Sequence, residues 1–339
     1  MAKKNLIVGQ SGGPTAVINS SLYGVVSEGL THPDTIEHVY GMVNGIEGFL
    51  NDRILDFEEA LPGDKLKGLT HTPGAYLGSC RYKLPDYTED PAPYKQIFER
   101  FEEYGISAFF YIGGNDSMDT ISKLSSFAKE NNIDITFIGI PKTIDNDTPL
   151  TEFSVGFNTA CQVCTDALDD LMTTARSHHR ALILEVMGRD AGHLAMHSAI
   201  AGFADICLVP EIPYTLSGII KKLEDVKASG RTSALIVVSE GVKTEKGEAV
   251  TSAVNMVGEK INGGIGDYLS SLINANYKGF QTRVTKLGHV QRSGNPTSFD
   301  RTLAVVLAAE AVRLLAEGHT DRMVSLSNGK ITSFTLDEV

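Results

Sequence analysis

Short apolar, β-branched runs punctuate this chain, and stretches of helical periodicity separate them. The runs are Asn5–Gly9, Ala108–Ile112, Ile135–Ile140, Ala181–Val186, Ile206–Val209, Ala234–Val238 and Arg283–Leu287. Between them, Pro14–Leu30, Tyr94–Tyr104, Met118–Asn131, Asn158–Arg176, Ala191–Ala201, Leu216–Ser229 and Thr302–Ala316 carry apolar residues at helical spacing. This alternation predicts an α/β fold built of βαβ units, its mostly parallel sheets covered by helices on both faces. A chain of 339 residues is long enough for two domains, each with its own core. The expected division is into two Rossmann-like, three-layer domains that meet at an active-site cleft. The first takes 1–155 plus about 291–339, the second 156–290, with the break at Thr148–Gly156.

The residues that follow these runs are polar. Ser11-Gly12-Gly13, Gly113–Ser117 and Pro141–Asp147 end runs in the first half; Met187–Asp190, Pro210-Glu211, Ser239–Gly241 and Gly288–Arg292 end runs in the second. Ligands bind at strand ends in open α/β folds. A Gly-Gly turn lets the backbone approach an anion, and the helix behind it offers free N–H groups to phosphate. The turn Pro141-Lys142-Thr143-Ile144-Asp145-Asn146-Asp147 adds two carboxylates, able to hold a metal or accept a proton, and a lysine for phosphate oxygens. The combination predicts a phosphoryl-transfer site.

Other classes fit poorly. No apolar run approaches the roughly 20 residues that cross a bilayer. The apolar part of Met1–Val8 is too short for a signal peptide, so cytoplasmic residence is expected. A net charge of −12 argues against a nucleic-acid binder, although a local Arg/Lys cluster can still bind phosphate. Neither glycine turn gives G-x-G-x-x-G with an acidic residue about 20 positions on, which weakens a Rossmann oxidoreductase. Cys161 and Cys164 form a C-x-x-C with no second pair to complete a zinc site; at i and i+3 of a helical stretch, they read as packing residues.

An ordered series of motifs now gives a resemblance. Ser11-Gly12-Gly13, Leu77-Gly78-Ser79-Cys80-Arg81, Gly113–Ser117, Pro141–Asp147, Met187-Gly188-Arg189, Glu240, Arg283 and Leu287–Arg292 span nearly the whole chain. In that order they resemble the 6-phosphofructokinases, and within them the pyrophosphate-dependent branch. The resemblance implies Mg²⁺-dependent phosphoryl transfer to the 1-hydroxyl of fructose 6-phosphate, in glycolysis and gluconeogenesis. It makes Asp145 the base, with Lys142 and Asp116 acting beside it. Backbone N–H groups of Gly12 and Gly13, with Arg81 and Ser117, would take the donor phosphates. Thr143 and Asp147 would help hold the metal region and the sugar, which Met187, Gly188, Arg189 and Glu240 would contact. Arg180, Arg283, His289 and Arg292 would grip the 6-phosphate, and Arg180 and Arg283 would reach in from a neighbouring subunit. His178 and His179, before Arg180, read as polar loop residues rather than metal ligands.

Donor choice turns on two positions. ATP-using members usually carry glycine where this chain has Asp116, whose charge would repel a nucleotide α-phosphate. They usually carry glycine at Lys142 as well, where a cation would serve the leaving phosphate of pyrophosphate. An ATP-dependent 6-phosphofructokinase is the alternative, and a non-catalytic partner subunit a remote one, since Asp145, Arg180, Arg283 and Arg292 are all present. Departures from the family pattern carry expectations too. The metal-binding Asp of the family is Asn115 here. Tyr23, Ser27 and Met172 stand where regulated relatives place effector arginines, which argues against nucleotide or phosphoenolpyruvate control. Gly241–Phe280 is longer than in short bacterial members and is expected to reshape subunit contacts. Val324–Phe334 reads as a hairpin after which members commonly continue, so a truncated C-terminus is expected.

Overall fold

A computed structural model describes residues 4–254 and 260–339; the central part of the long Gly241–Phe280 segment, residues 255–259, lies outside the described residues. Contacts divide the chain into two units: residues 1–143, 148–159 and 295–339, and residues 144–147 and 160–294.

The sheet of the first unit contains Lys4–Gln10 (β1), Ile36–Met42 (β2), Ile54–Asp56 (β3), Ile106–Gly113 (β4), Thr136–Thr143 (β5) and the short Val155–Gly156 (β6). The strands Arg322–Ser327 (β13) and Lys330–Thr335 (β14) complete it, forming the antiparallel hairpin expected there. The order is β14-β13-β5-β4-β1-β2-β3, with β6 on β5. Pairings from β13 to β2 are parallel, and only β14 and β3 at the edges run antiparallel.

Alternation along these strands supplies both faces of the sheet. Leu6, Val8, Ala108, Phe110, Ile112, Ile138 and Ile140 face one side, packed with the helices Ile18–Gly29 and Ser298–Ala316. Ile7, Phe109, Tyr111 and Phe137 face the other, where Ala92–Glu103 and Asn115–Glu130 bring Ile97, Phe98, Phe101, Ile121 and Leu124. Each buried Leu, Ile, Val or Phe among them is worth about 1.5–3 kcal/mol of transfer free energy. This is the expected three-layer arrangement.

The second unit holds Arg180–Val186 (β7), Ile206–Leu208 (β8), Ala234–Ser239 (β9) and Gln281–Lys286 (β12), in a fully parallel sheet ordered β12-β7-β9-β8. Ile183, Ile236 and Val238 pack against Ile219, Leu223, Leu269 and Ile273 from the helices Leu216–Ala228 and Ile265–Asn276. Thr251–Val254 (β10) and Lys260–Asn262 (β11) form a separate antiparallel pair.

The strands β2 and β3 and the helix Ile265–Asn276 were not expected. In β2, Glu37 and His38 interrupt the apolar run, leaving Ile36, Val39 and Met42 as its buried anchors. The helix is rich in Ser, Gly and Asn, which are weak helix formers. A distant residue supplies its start: the buried Glu185 carboxylate accepts the Gly264 and Gly266 amides, each at 2.8 Å. A side chain on Gly266 would meet that carboxylate at 2.9 Å.

Candidate active site

In the first unit, β5, β4 and β1 are parallel neighbours, so their C-terminal ends lie side by side. Three site segments leave from that edge. Ser11-Gly12-Gly13 follows β1, and Gly12 turns with φ +74°, a conformation that favours glycine. The Ser11 amide donates to the Ile112 carbonyl at 2.9 Å, stitching this turn to β4. Gly113-Gly114 follows β4 and opens the helix Asn115–Glu130. Any Cβ on Gly113 would lie 2.0 Å from the Ser117 hydroxyl, so the close turn itself requires glycine. Ser117 is buried and donates to the Ser11 hydroxyl at 2.9 Å, tying the two glycine turns together.

The amide of Gly12 departs from expectation. It donates inward to the Cys80 carbonyl at 3.1 Å, and Ser79 Oγ donates to the Gly12 carbonyl at 2.6 Å. The turn is thereby braced from behind by the segment that ends in Arg81, which is itself exposed. Lys142 approaches the same turn from β5. It is only 3 % exposed, yet its Nζ donates to the Gly13 carbonyl at 2.9 Å. The pairing of Lys142 with Val155 and Thr143 with Gly156 holds the strand to its end. Asn115 and Asp116 stand exposed at the start of their helix. Their carboxamide and carboxylate are hard oxygen donors that fit Mg²⁺, a metal that keeps water and phosphate oxygens in its shell.

The second unit gathers another set. Asp145 is half-buried in a turn whose next residue, Asn146, has φ +54°, a left-handed position asparagine tolerates. Burial raises the Asp147 carboxyl above its ordinary value, and Asp190 adds to the effect. Met187-Gly188-Arg189 leaves the end of β7. Gly188 has φ +127°, and a Cβ there would meet the Ala191 carbonyl at 2.5 Å. The Ser239 hydroxyl donates to the Gly188 carbonyl at 2.5 Å, and the Glu240 amide to the Val186 carbonyl at 2.8 Å, binding the ends of β7 and β9.

Glu240 has the most informative electrostatics. Burial, then the negative charges of Asp145 and Glu185, lift its carboxyl from 4.5 to about 7, against the pull of Arg292 and Arg189. Asp145, Arg189 and Arg292 are therefore close enough to Glu240 to act on its charge. Because the folded pKa is raised, folding favours the protonated acid. The group's contribution to stability is full below about pH 4.5 and lost as pH rises through about 7. Glu240→Gln is expected to raise Tm progressively from about pH 5 to about pH 8. Calorimetry across that range checks it; a Tm difference independent of pH overturns it.

The arginines fall into two groups. His289 and Arg292 belong to the turn Gly288–Arg292, after β12. Arg180 opens β7, and Arg283 pairs beside Leu182 near the start of β12. At about 3.3 Å per residue, Arg180 and Met187, just past the end of β7, lie roughly 23 Å apart. Within one chain Arg180 thus stands far from the turn that carries His289 and Arg292. The strand direction that carries Arg292 toward Glu240 leaves Arg180 at the opposite end of β7, with Arg283 partway along β12.

Some residues of the site had no clear sequence signal. Gln291, buried to 1 % exposure, accepts the Met187 amide at 2.9 Å and donates to the Gly288 carbonyl at 2.9 Å, locking two ligand turns together. Its place between His289 and Arg292 was the available hint. Cys164 donates to that same Gln291 at 3.5 Å, and burial pushes its thiol up to about 12. Neither Cys161 nor Cys164 joins a converging ligand cluster among the described residues. The cluster found there, His38 with Asp56 and Glu58, lies on the β2–β3 edge, with His38 Nδ1 3.5 Å from Asp56 Oδ2.

The family model described as Phosphofructokinase matches residues 5–315. The chain is 38% identical over 339 aligned residues to ATP-dependent 6-phosphofructokinase 1 of Synechocystis sp., covering 97% of this chain and 89% of that relative. Among solved structures, the pyrophosphate-dependent phosphofructokinase of Marinobacter aquaeolei matches with TM-score 0.84 and 31% identity, covering 99% of this chain and 83% of that one. That of Nitrosospira multiformis matches with TM-score 0.86 and 29% identity, covering 100% and 84%. Likeness at this level, sustained from the first strand to the last long helix, means that the chain belongs to the phosphofructokinase family of phosphotransferases.

Proposed function

We propose that this protein is a pyrophosphate:fructose-6-phosphate 1-phosphotransferase. The observation that carries the reading is Lys142, a buried cation fixed on the Gly13 carbonyl at 2.9 Å, with Asp116 exposed at the head of the neighbouring helix. A lysine locked on the glycine turn supplies charge to a donor that has no nucleotide to grip. Asp116 adds a negative charge where a nucleotide's α-phosphate would have to pass, and like charges near 4 Å cost about 4 kcal/mol at an effective dielectric of about 20.

In this reading Asp145 accepts the proton of the sugar 1-hydroxyl. The bond from that oxygen to phosphorus forms as the bridging P–O bond of pyrophosphate breaks. Orthophosphate leaves with the bonding electrons, and the product is fructose 1,6-bisphosphate. Lys142, Gly13 and Arg81 neutralise and orient the donor. Thr143, Asp147, Met187, Gly188, Arg189 and Glu240 orient the sugar, and His289 and Arg292 hold its 6-phosphate. Asn115 would hold Mg²⁺, which would supply positive charge to the phosphate oxygens. Donor and product phosphates differ little in energy, so the reaction runs both ways. No helix among the described residues is long and apolar enough to cross a membrane, and cytoplasmic residence is part of the proposal.

ATP is the second reading, favoured by the likeness to relatives such as the ATP-dependent 6-phosphofructokinase 1 of Synechocystis sp.. A coupled assay for fructose 1,6-bisphosphate, run with each donor, separates the two. Wild type is expected to turn over with pyrophosphate and not with ATP. Asp116→Gly is expected to raise kcat/KM for ATP about tenfold or more. Wild-type turnover with ATP alone overturns the donor assignment; an Asp116→Gly variant with unchanged donor preference overturns the role of Asp116.

A further inference from the structure

We infer that Gln10 and Asn19 are positioning residues for the donor side of the site, latching the segment Thr72–Arg81 onto the end of β1. Both are fully buried, one as the last residue of β1 and the other in the first turn of the helix that follows. They are bonded to each other, Gln10 Nε2 donating to Asn19 Oδ1 at 2.9 Å. Their remaining groups all point to one segment. Asn19 Nδ2 donates to the Thr72 carbonyl at 2.7 Å, Asn19 Oδ1 accepts the Tyr76 amide at 2.8 Å, and Gln10 Oε1 accepts the Leu77 amide at 3.0 Å.

What that segment does next gives the latch its purpose. Leu77 offers its carbonyl to the Asn44 amide at 2.7 Å, and Gly78 turns the chain with φ +73°. Ser79 then donates to the Gly12 carbonyl and Cys80 accepts the Gly12 amide, and Ser11 bridges to Cys80 as a short parallel contact. Arg81 follows immediately. Two primary amides inside a core otherwise built of Leu6, Val8, Val17, Ile18 and Leu22 are costly unless every polar atom is matched. A leucine would fill such a place more cheaply, but it would not say where a backbone amide must sit. The amide pair therefore sets the height of the segment against the glycine turn, and through it the geometry offered to the donor phosphates.

The kinetic test rests on the proposed donor reading; an exchange test does not. In Gln10→Met and Asn19→Leu, which keep volume and remove the acceptors, KM for pyrophosphate is expected to rise about tenfold or more, with KM for fructose 6-phosphate within about twofold. Amide hydrogen exchange at Thr72–Arg81 should accelerate while β4 stays protected. Asn19→Asp keeps the acceptor for Tyr76 and loses the donor to Thr72, so it should fall between, and it carries the test if an apolar variant does not fold. If ATP proves to be the donor, the same split must appear in KM for ATP. Unchanged exchange at Thr72–Arg81 in the folded variants overturns the latch whichever donor is used. A parallel rise in both KM values overturns its donor-side role.

Discussion

Asp145→Asn is expected to lower kcat by about 10²–10⁴-fold, the range a positioned proton acceptor contributes. Asparagine preserves the shape of the side chain and its ability to accept a hydrogen bond, but it cannot take the proton of the sugar hydroxyl. The backbone is not at risk, because the left-handed residue of the turn is Asn146, not Asp145. KM for the sugar phosphate should therefore change little, which separates lost chemistry from lost binding. A second signature follows from the electrostatics. Asp145 is one of the charges that raise Glu240, second only to burial. Removing it should move any pH limb near 7 to lower pH, because one source of the elevation has gone. A kcat within a few-fold of wild type would place the base elsewhere. An intact kcat with a shifted limb would leave Asp145 an electrostatic neighbour of Glu240 and no more.

Strands whose side chains are mostly apolar on both faces were legible because their apolar runs are nearly unbroken, Glu185 near the end of β7 being the exception. Lys4–Gln10, Ile106–Gly113 and Arg180–Val186 each fall within a residue or two of the expected run. The β2 strand lacked that uniformity, and the helix Ile265–Asn276 depends on the carboxylate of Glu185, a residue distant in sequence. The site shows the same divide. Glycine turns, the Asp145 turn and the Met187–Arg189 turn are local, so their residues stand out in order along the chain. Gln10, Asn19 and Gln291 act by long-range hydrogen bonds from buried positions, and nothing in their own neighbourhoods announces the partner. The inward commitment of the Gly12 amide was hidden for the same reason. Its partner, Cys80, arrives from a segment whose path the sequence does not specify.

Arg180 and Arg283 set the other large expectation. Arg180 stands at the start of β7, away from Gly188, Glu240 and Arg292, and Arg283 partway along β12, so the expected role in phosphate binding calls on the site of a second copy. Truncating either arginine should cost about 2–5 kcal/mol of sugar-phosphate binding, a rise of roughly 30-fold or more in KM. The decisive experiment is complementation. Asp145→Asn lacks the base in its own site but still lends both arginines; a chain with Arg180→Ala and Arg283→Ala keeps the base and lends none. Each alone is expected to be nearly inactive at sugar-phosphate concentrations around the wild-type KM. Coexpressed, half of randomly paired dimers are mixed, and each mixed dimer holds one site with both defects and one with neither. About a quarter of wild-type activity should return, on the two-fold logic of reciprocal sites. If mixed assemblies form, as mass measurement on differently tagged chains would show, and activity stays at the sum of the parents, the arginines do not act in trans. The half-buried Arg180 at the start of β7 and the exposed Arg283 within β12 would then need a different explanation, and the 6-phosphate would rest on His289 and Arg292 alone.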